Sequence, residues 1–205
     1  LLTTLFGITP ALQGRITAAS VEKRITDPRA AIAAGIALVP EDRKQQGLII
    51  DMAVSDNMSL ASLGRDQHSG FLNFAAERRI SDEMIRKMRI KTPSPRQVVR
   101  FLSGGNQQKV VLGKWLAMKP SVLLLDEPTR GIDIGAKQEI YALMEELSGE
   151  GVAILFASSE MEEVIGMSDR VLVMHEGRLA GELPRAELGE ESIMRLATGR
   201  GVHAA

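Results

Sequence analysis

Cysteine is absent from all 205 residues, which excludes disulfides and thiolate-bound metal and is compatible with a reducing compartment. Aromatic residues are scarce at 3%, too few for a surface that holds nucleic-acid bases by stacking. Neither sign of charge dominates, with 25 Lys and Arg against 26 Asp and Glu for a formal net charge of −1. Global electrostatics therefore make no case for nucleic acid or an anionic membrane surface as partner. No apolar run approaches the ~20 residues that cross a bilayer as a helix. A signal-peptide pattern, an initiator methionine, an internal repeat and a low-complexity tract are all missing. The start on Leu1-Leu2 leads to the expectation that the chain begins inside a longer polypeptide. What is present is ordinary for a globular chain able to bury a substantial core: 44% apolar and 25% charged residues.

Glycine and proline punctuate a pattern of short apolar runs. Leu1–Phe6 reads as the end of a helix stopped by Gly7 and Pro10, and Gly14–Ala18 as a short strand. Asp27, Pro28 and Gly35 supply an N-cap, a first-turn proline and a terminating glycine for a short helix. "IALVPEDR" follows as a buried strand entering a loop. From about Gln46 to Pro120 the chain reads as mainly helical. There Ala76, Ile80, Met84 and Met88 form one stripe, while Arg78, Arg79 and the basic residues through Lys91 form a solvated face. A second helix after Gly105 carries Val111, Trp115 and Met118, beside Leu112 and Leu116. Alternation then resumes. "SVLLLDEP" is a strand buried on both faces, and a helix from about Ala136 to Leu147 turns Ile140, Leu143, Met144 and Leu147 inward. "GVAILFASS" is read as another buried strand, followed by a short helix from about Met161 to Gly166. "DRVLVMHEGRLAGEL" is a hairpin turning at Glu176-Gly177, and a small helix spans Glu191–Ala197. Strands alternating with helices imply a mostly parallel sheet with a helical insertion. The ten methionines read as core filler. His68, His175 and His203 lie far apart without ligand spacing, His175 in the hairpin and His203 in the tail.

Two segments carry chemistry. Asp126 and Glu127 stand where the strand Leu123–Leu125 runs out, and open α/β sheets bind ligands beyond the carboxyl ends of their strands. A carboxylate there suits Mg²⁺, directly or through water, and a second one suits a base that orients or deprotonates an attacking water. By itself, Asp-Glu-Pro is equally a polar turn. Ser103 suits an N-cap, and Gly104 and Gly105 let an anion approach bare backbone N–H groups without a Cβ in the way. The helix dipole adds roughly half a positive charge at that end. Taken singly, this is more often a capped helix with a glycine hinge. The order is more specific than either part: Ser-Gly-Gly opening a helix, then a buried strand ending Asp-Glu-Pro, then Gly131-Ile132-Asp133.

In that order the chain resembles the nucleotide-binding domain of ATP-binding cassette transporters over nearly its whole length. "LSGGNQQK" looks like the signature motif, "VLLLDEP" the Walker B strand and "GIDIGA" the D-loop. "VPEDRKQQGL", "SSEMEEV" and "SDRVLVMHEG" narrow the resemblance to the second, C-terminal cassette of double-cassette ATPases that drive bacterial ribose- and galactose-type monosaccharide importers. The resemblance implies an α/β fold, a P-loop NTPase-like ABC ATPase core with a mostly parallel sheet and a helical signature subdomain. Three parts are expected: a partial core over 1–45, a helical subdomain over 46–120 and the remaining core over 121–205. It also implies that Leu102, Ser103, Gly104, Gly105 and Gln107 face ATP held by a partner cassette, the N-terminal half of the same polypeptide. By the same likeness Glu127 is the general base, Asp126 the Mg²⁺ residue, and Gly131 and Asp133 belong to the D-loop. Membrane permease subunits and, indirectly, a periplasmic sugar-binding protein are the implied partners, at the cytoplasmic face of the inner membrane.

The departures from the family pattern are as informative. No G-x-x-x-x-G-K-[ST] occurs, and Gly113-Lys114 leads into Trp115 without the upstream glycine. The family layout places the Walker A loop and the strands before it ahead of Leu1, with Leu1–Phe6 its trailing helix. Glu41 stands where the Q-loop carries glutamine, and Ser159 where the switch histidine is expected. Either is also a plain solvated loop residue. These departures lead to the expectation that this half's own pocket is impaired and the 205 residues alone are inactive. The rival reading is a non-hydrolysing regulatory module in which ATP only clamps two cassettes together. A third, a cassette acting on DNA or ribosomes, is disfavoured because no heptads of a long coiled coil appear.

Overall fold

The two leucine- and valine-rich runs become the most deeply buried strands. In this computed structural model, which describes residues 1–18, 20–67 and 71–199, β3 (Ile36–Val39) and β4 (Val122–Asp126) pair in parallel, with Val39 opposite Leu125. His68 and His203 lie outside the described residues. The chain divides into two compact units, Leu1–Phe156 and Ala157–Ala205.

In the first unit α1 (Leu2–Leu5), β1 (Ile16–Ala18), β2 (Val21–Lys23) and α2 (Pro28–Ala33) precede β3. Asp27 caps α2 by accepting from the Ala30 N–H at 2.9 Å, with Pro28 in the first turn. The single strand expected at Gly14–Ala18 is one arm of an antiparallel hairpin, Ile16 opposite Lys23. Ser20 supplies the left-handed turn residue, φ 61°, a place more often held by glycine or asparagine, so the sequence signal for a hairpin is weak. A π-helical turn, Arg43–Gly47, follows β3 where an irregular loop was expected. The helical segment comprises α3 (Val54–Ser59), α4 (Leu63–Asp66), α5 (Phe74–Lys87) and α6 (Gly104–Leu116). Met84 and Met88 are buried and Ala76 and Ile80 half-buried, while Arg78, Arg79 and Arg86 are exposed. Then come β4, α7 (Ile134–Gly149) and β5 (Ala153–Ala157), in the sheet order β3-β4-β5. The buried residues of α7 are Ile140, Leu143, Met144 and Leu147, the four that the helical spacing picks out.

One core cluster of this unit joins Leu2, Phe6, Ala31, Ile36, Leu38 and Leu124. Phe6 meets Trp115 edge-on, ring centroids 5.5 Å apart, which fastens the end of α1 to α6. One expectation is corrected here. β5 is not a buried strand: Ala153 and Ala157 are exposed, and Ile154, Leu155 and Phe156 only half-buried. An end position in the sheet is not the reason, because β3 stands at the other end and is buried throughout; α2 and α6 both pack against β3.

The second unit holds α8 (Met161–Met167), β6 (Arg170–His175), β7 (Arg178–Pro184) and α9 (Glu190–Ala197). β6 and β7 form the expected hairpin, with His175 opposite Arg178. Glu176 and Gly177 both adopt positive φ, 46° and 76°, as a two-residue turn between right-twisted strands requires. Val173, Leu183, Ile193 and Leu196 close this unit's core under α9.

Candidate functional site at the strand ends and the mouth of α6

The parallel register brings β3 and β4 out of the sheet together. Because Val39 lies opposite Leu125, Pro40-Glu41 and Asp126-Glu127 leave at the same edge, the carboxyl end where such sheets place ligands. Burial, and next the charge of Glu127, raise the Asp126 carboxyl above the ordinary aspartate value. Glu127 sits at φ 48°. A non-glycine residue in the left-handed region is uncommon and stores strain, and such residues cluster at functional sites.

The second component is the start of α6. Ser103 is its N-cap, and the Gln107 N–H donates to the Ser103 carbonyl at 2.9 Å. The amides of Gly104 and Gly105 belong to the first turn, which has no intrahelical acceptors. Asn106 braces the cap: its Nδ2 donates to Ser103 Oγ at 2.9 Å, and its Oδ1 accepts from the Lys91 N–H at 2.8 Å. A backbone N–H can only donate, so the Lys91 bond fixes which end of the Asn106 amide faces Ser103. Gln107 is turned the other way. It is buried, and its Nε2 donates to the Val99 carbonyl at 3.2 Å, so it supports the turn from beneath. Leu102 is half-buried.

Close approach within this chain requires glycine at 105 and crowds position 104. A Cβ at Gly105 would lie 2.5 Å from the Ala136 Cβ in the first turn of α7, and one at Gly104 2.8 Å from Arg43 Nη2 and 3.2 Å from the Gly131 carbonyl. Gly131 itself takes φ 66°. Asp133 then caps α7, accepting from the Ala136 N–H at 2.9 Å. The start of α6 therefore abuts the Gly131–Asp133 turn.

Arg43 is the residue that motif reading passes over. Its guanidinium donates to the carbonyls of Arg130 at 3.1 Å and Gly131 at 3.4 Å. Two residues earlier, Glu41 forms an ion pair with the Arg130 side chain. Glu41, Arg43, Gly104, Gly105, Gly131 and Asp133 thus form one connected patch. Ser159 lies in the second unit, exposed, just ahead of α8; its neighbour Ser158 bonds the Glu163 carboxylate and accepts from the Glu160 N–H.

The sequence family described as ABC transporter matches residues 1–130 of this chain. The chain belongs to that family. Curated relatives include a protein of Pseudomonas syringae pv. tomato named for ribose/galactose/methyl galactoside import, 52% identical over 98% of this chain and 38% of that protein. Another is the ribose import ATP-binding protein RbsA of Halalkalibacterium halodurans, 48% identical over 99% of this chain and 41% of that protein. The chain spans about two fifths of the length of these relatives. A nucleotide-free ATP-binding cassette from an ABC transporter superimposes with a TM-score of 0.78 at 19% identity, covering 96% of this chain and 78% of that one. A dimeric cassette in a post-hydrolysis state with ADP and Pi gives 0.75 at 18% identity, covering 90% and 78%. At these identities the two structures establish the shared fold.

Among the described residues of this ABC cassette, no three His, Cys, Asp or Glu side chains gather to hold a metal ion. An ion that keeps most of its waters needs no such cage. One half-buried carboxylate at a strand end is the donor set that Mg²⁺ takes when phosphates complete its shell, and Asp126 fits that description. Among the described residues no helix is long and apolar enough to cross a membrane.

Proposed function

We propose that this ABC cassette is part of the ATP-binding subunit of a bacterial monosaccharide importer, and that it presents the mouth of α6 to ATP held on a partner cassette. The observation that carries the reading is the start of α6: a capped helix whose first two residues are glycine, their amides without intrahelical acceptors, beside the Gly131–Asp133 turn. Such an end favours an anion through its amides and its dipole. Ser103, Gly104 and Gly105 would contact phosphate oxygens, with Leu102 and Gln107 supporting the turn. The names of the relatives, all concerned with sugar import, support the sugar and its permease as the downstream partners.

In this reading the parts 1–45, 46–120 and 121–205 act as partial core, signature subdomain and remaining core. The partner cassette is the N-terminal half of the same polypeptide. The assembly works at the cytoplasmic face of the membrane with permease subunits and, through them, a periplasmic binding protein. Asp126 would hold Mg²⁺ directly or through water, and the ion would neutralise charge on the phosphates. Glu127, next to it, would orient a water for in-line attack. Glu41 in place of the family's glutamine and Ser159 in place of its histidine favour a second reading, in which this half binds and clamps without cleaving. Trapping nucleotide on the full-length protein separates the two: one cleaved nucleotide per polypeptide supports the clamp, two support a second active site.

The test is Ser103→Asp in the full-length polypeptide assembled with its permease. Aspartate caps a helix as well as serine, so the fold is retained while a negative charge meets the phosphate. Transport-coupled ATP hydrolysis is expected to be lost at an unchanged Tm. Normal turnover by this variant would overturn the proposal.

A further inference from the structure

Residues 130 and 131 lie between the end of β4 and the N-cap of α7, and Gly131, without a Cβ, takes a positive φ. Two side chains from the segment after β3 hold this stretch from 87 to 89 residues away in sequence: Arg43 through the Arg130 and Gly131 carbonyls, and Glu41 through the Arg130 side chain. The same Arg43 guanidinium occupies the space beside Gly104. The far end of the segment is anchored independently, because Lys114 Nζ donates to the Gly47 carbonyl at 2.6 Å and Gly47 lies against Val111 of α6. One short segment is thus tied at one end to the body of α6 and at the other to the turn that faces the α6 mouth.

We propose that Glu41 and Arg43 are positioning residues that fix the Gly131–Asp133 turn against the mouth of α6. The inference rests on the reading of that mouth given above. It gives Glu41 a role that the resemblance does not supply. An amide at this place would accept a hydrogen bond from Arg130, but only a carboxylate forms an ion pair with it. Neither residue touches the phosphate. They act by holding two backbone carbonyls and, through them, the geometry in which a partner's nucleotide is met.

Both members of the Glu41–Arg130 pair are about half exposed, 49% and 63%, and exposed pairs contribute little to stability. Turnover and stability therefore separate. In the full-length polypeptide with its permease, Glu41→Arg and Arg130→Glu are each expected to lower kcat about tenfold, the scale of a small misplacement of reacting groups. The KM for ATP and the Tm stay at their wild-type values. The reciprocal double variant, Glu41→Arg with Arg130→Glu, restores kcat. Arg43→Met lowers kcat in the same way, and Arg43→Lys returns part of it. Wild-type turnover in the single variants, a double variant as slow as the singles, or a Tm that falls in step with kcat would each overturn the inference. Ser103→Asp, measured alongside, distinguishes the failures: if it is dead while the single variants are normal, only the positioning role is lost. If Ser103→Asp also turns over normally, the reading of the α6 mouth falls as well.

Discussion

Asp126 is held above its ordinary value of 3.8 by burial first and by Glu127 second. An acid whose folded value is raised penalises the folded state once it ionises. The cost is absent below the unfolded value and fully present above the folded one. With no nucleotide or divalent ion present, Asp126→Asn is therefore expected to unfold at a higher temperature than wild type at pH 7. The gain should shrink as pH falls towards 3.8, and thermal melts across that range check it. At this scale the places of Asp126 and Glu127 at a strand end and of Ser103 at a helix start were legible, because each belongs to a local pattern. The burial of Gln107, which the resemblance places on the ATP-facing turn, was not legible, since its inward direction depends on the Val99 carbonyl. Arg43 and Asn106 were invisible for a related reason. Their partners, at 130–131 and at 91, are brought to them only by the fold, and no local spacing announces such contacts.

Elements were legible where caps and periodicity agree, as in α2, α7 and the hairpin of β6 and β7. The π-helical turn 43–47 was not, because its N-cap Asp42 and terminal Gly47 are also what an ordinary loop contains. Nor was its anchor. Lys114 is buried in α6 over the Trp115 ring, 5.1 Å from its centroid, with its ammonium on the Gly47 carbonyl. The carbonyl and the ring favour the cation, but burial is the larger influence and lowers its value from 10.5 to about 8. The sign is opposite to that of a paired lysine. Below about pH 8 the folded chain carries a buried charge at full cost. Between about 8 and 10.5 the folded state has released its proton while the unfolded state keeps it, so stability rises with pH. Relative to Lys114→Met, wild type should gain on the order of 3 kcal/mol across that interval. Denaturant titrations of both proteins at several pH values measure the difference.

Taken as a whole, these 205 residues contain no phosphate-binding G-x-x-x-x-G-K-[ST]. Purified alone, the chain is expected to hydrolyse Mg²⁺-ATP at no more than the background rate, and Mg²⁺-dependent phosphate release above background would contradict this. The same scale gives meaning to two exposed apolar residues, Phe101 at 72% and Ile134 at 79%. One lies just before the α6 mouth and the other just after the Gly131–Asp133 turn, beside the surface that the proposed function assigns to a partner cassette. The parallel pairing of β3 and β4 was legible from alternating strands and helices, whereas the exposure of β5 was not, because an apolar run does not reveal which helices pack against it. The close approach of α6 to α7 has a practical consequence for anyone randomising this chain. A library sorted only for soluble expression, with no substrate in the medium, should still return glycine at 105, where the Ala136 methyl leaves no room, yet accept larger residues at 64, where nothing lies within 4 Å.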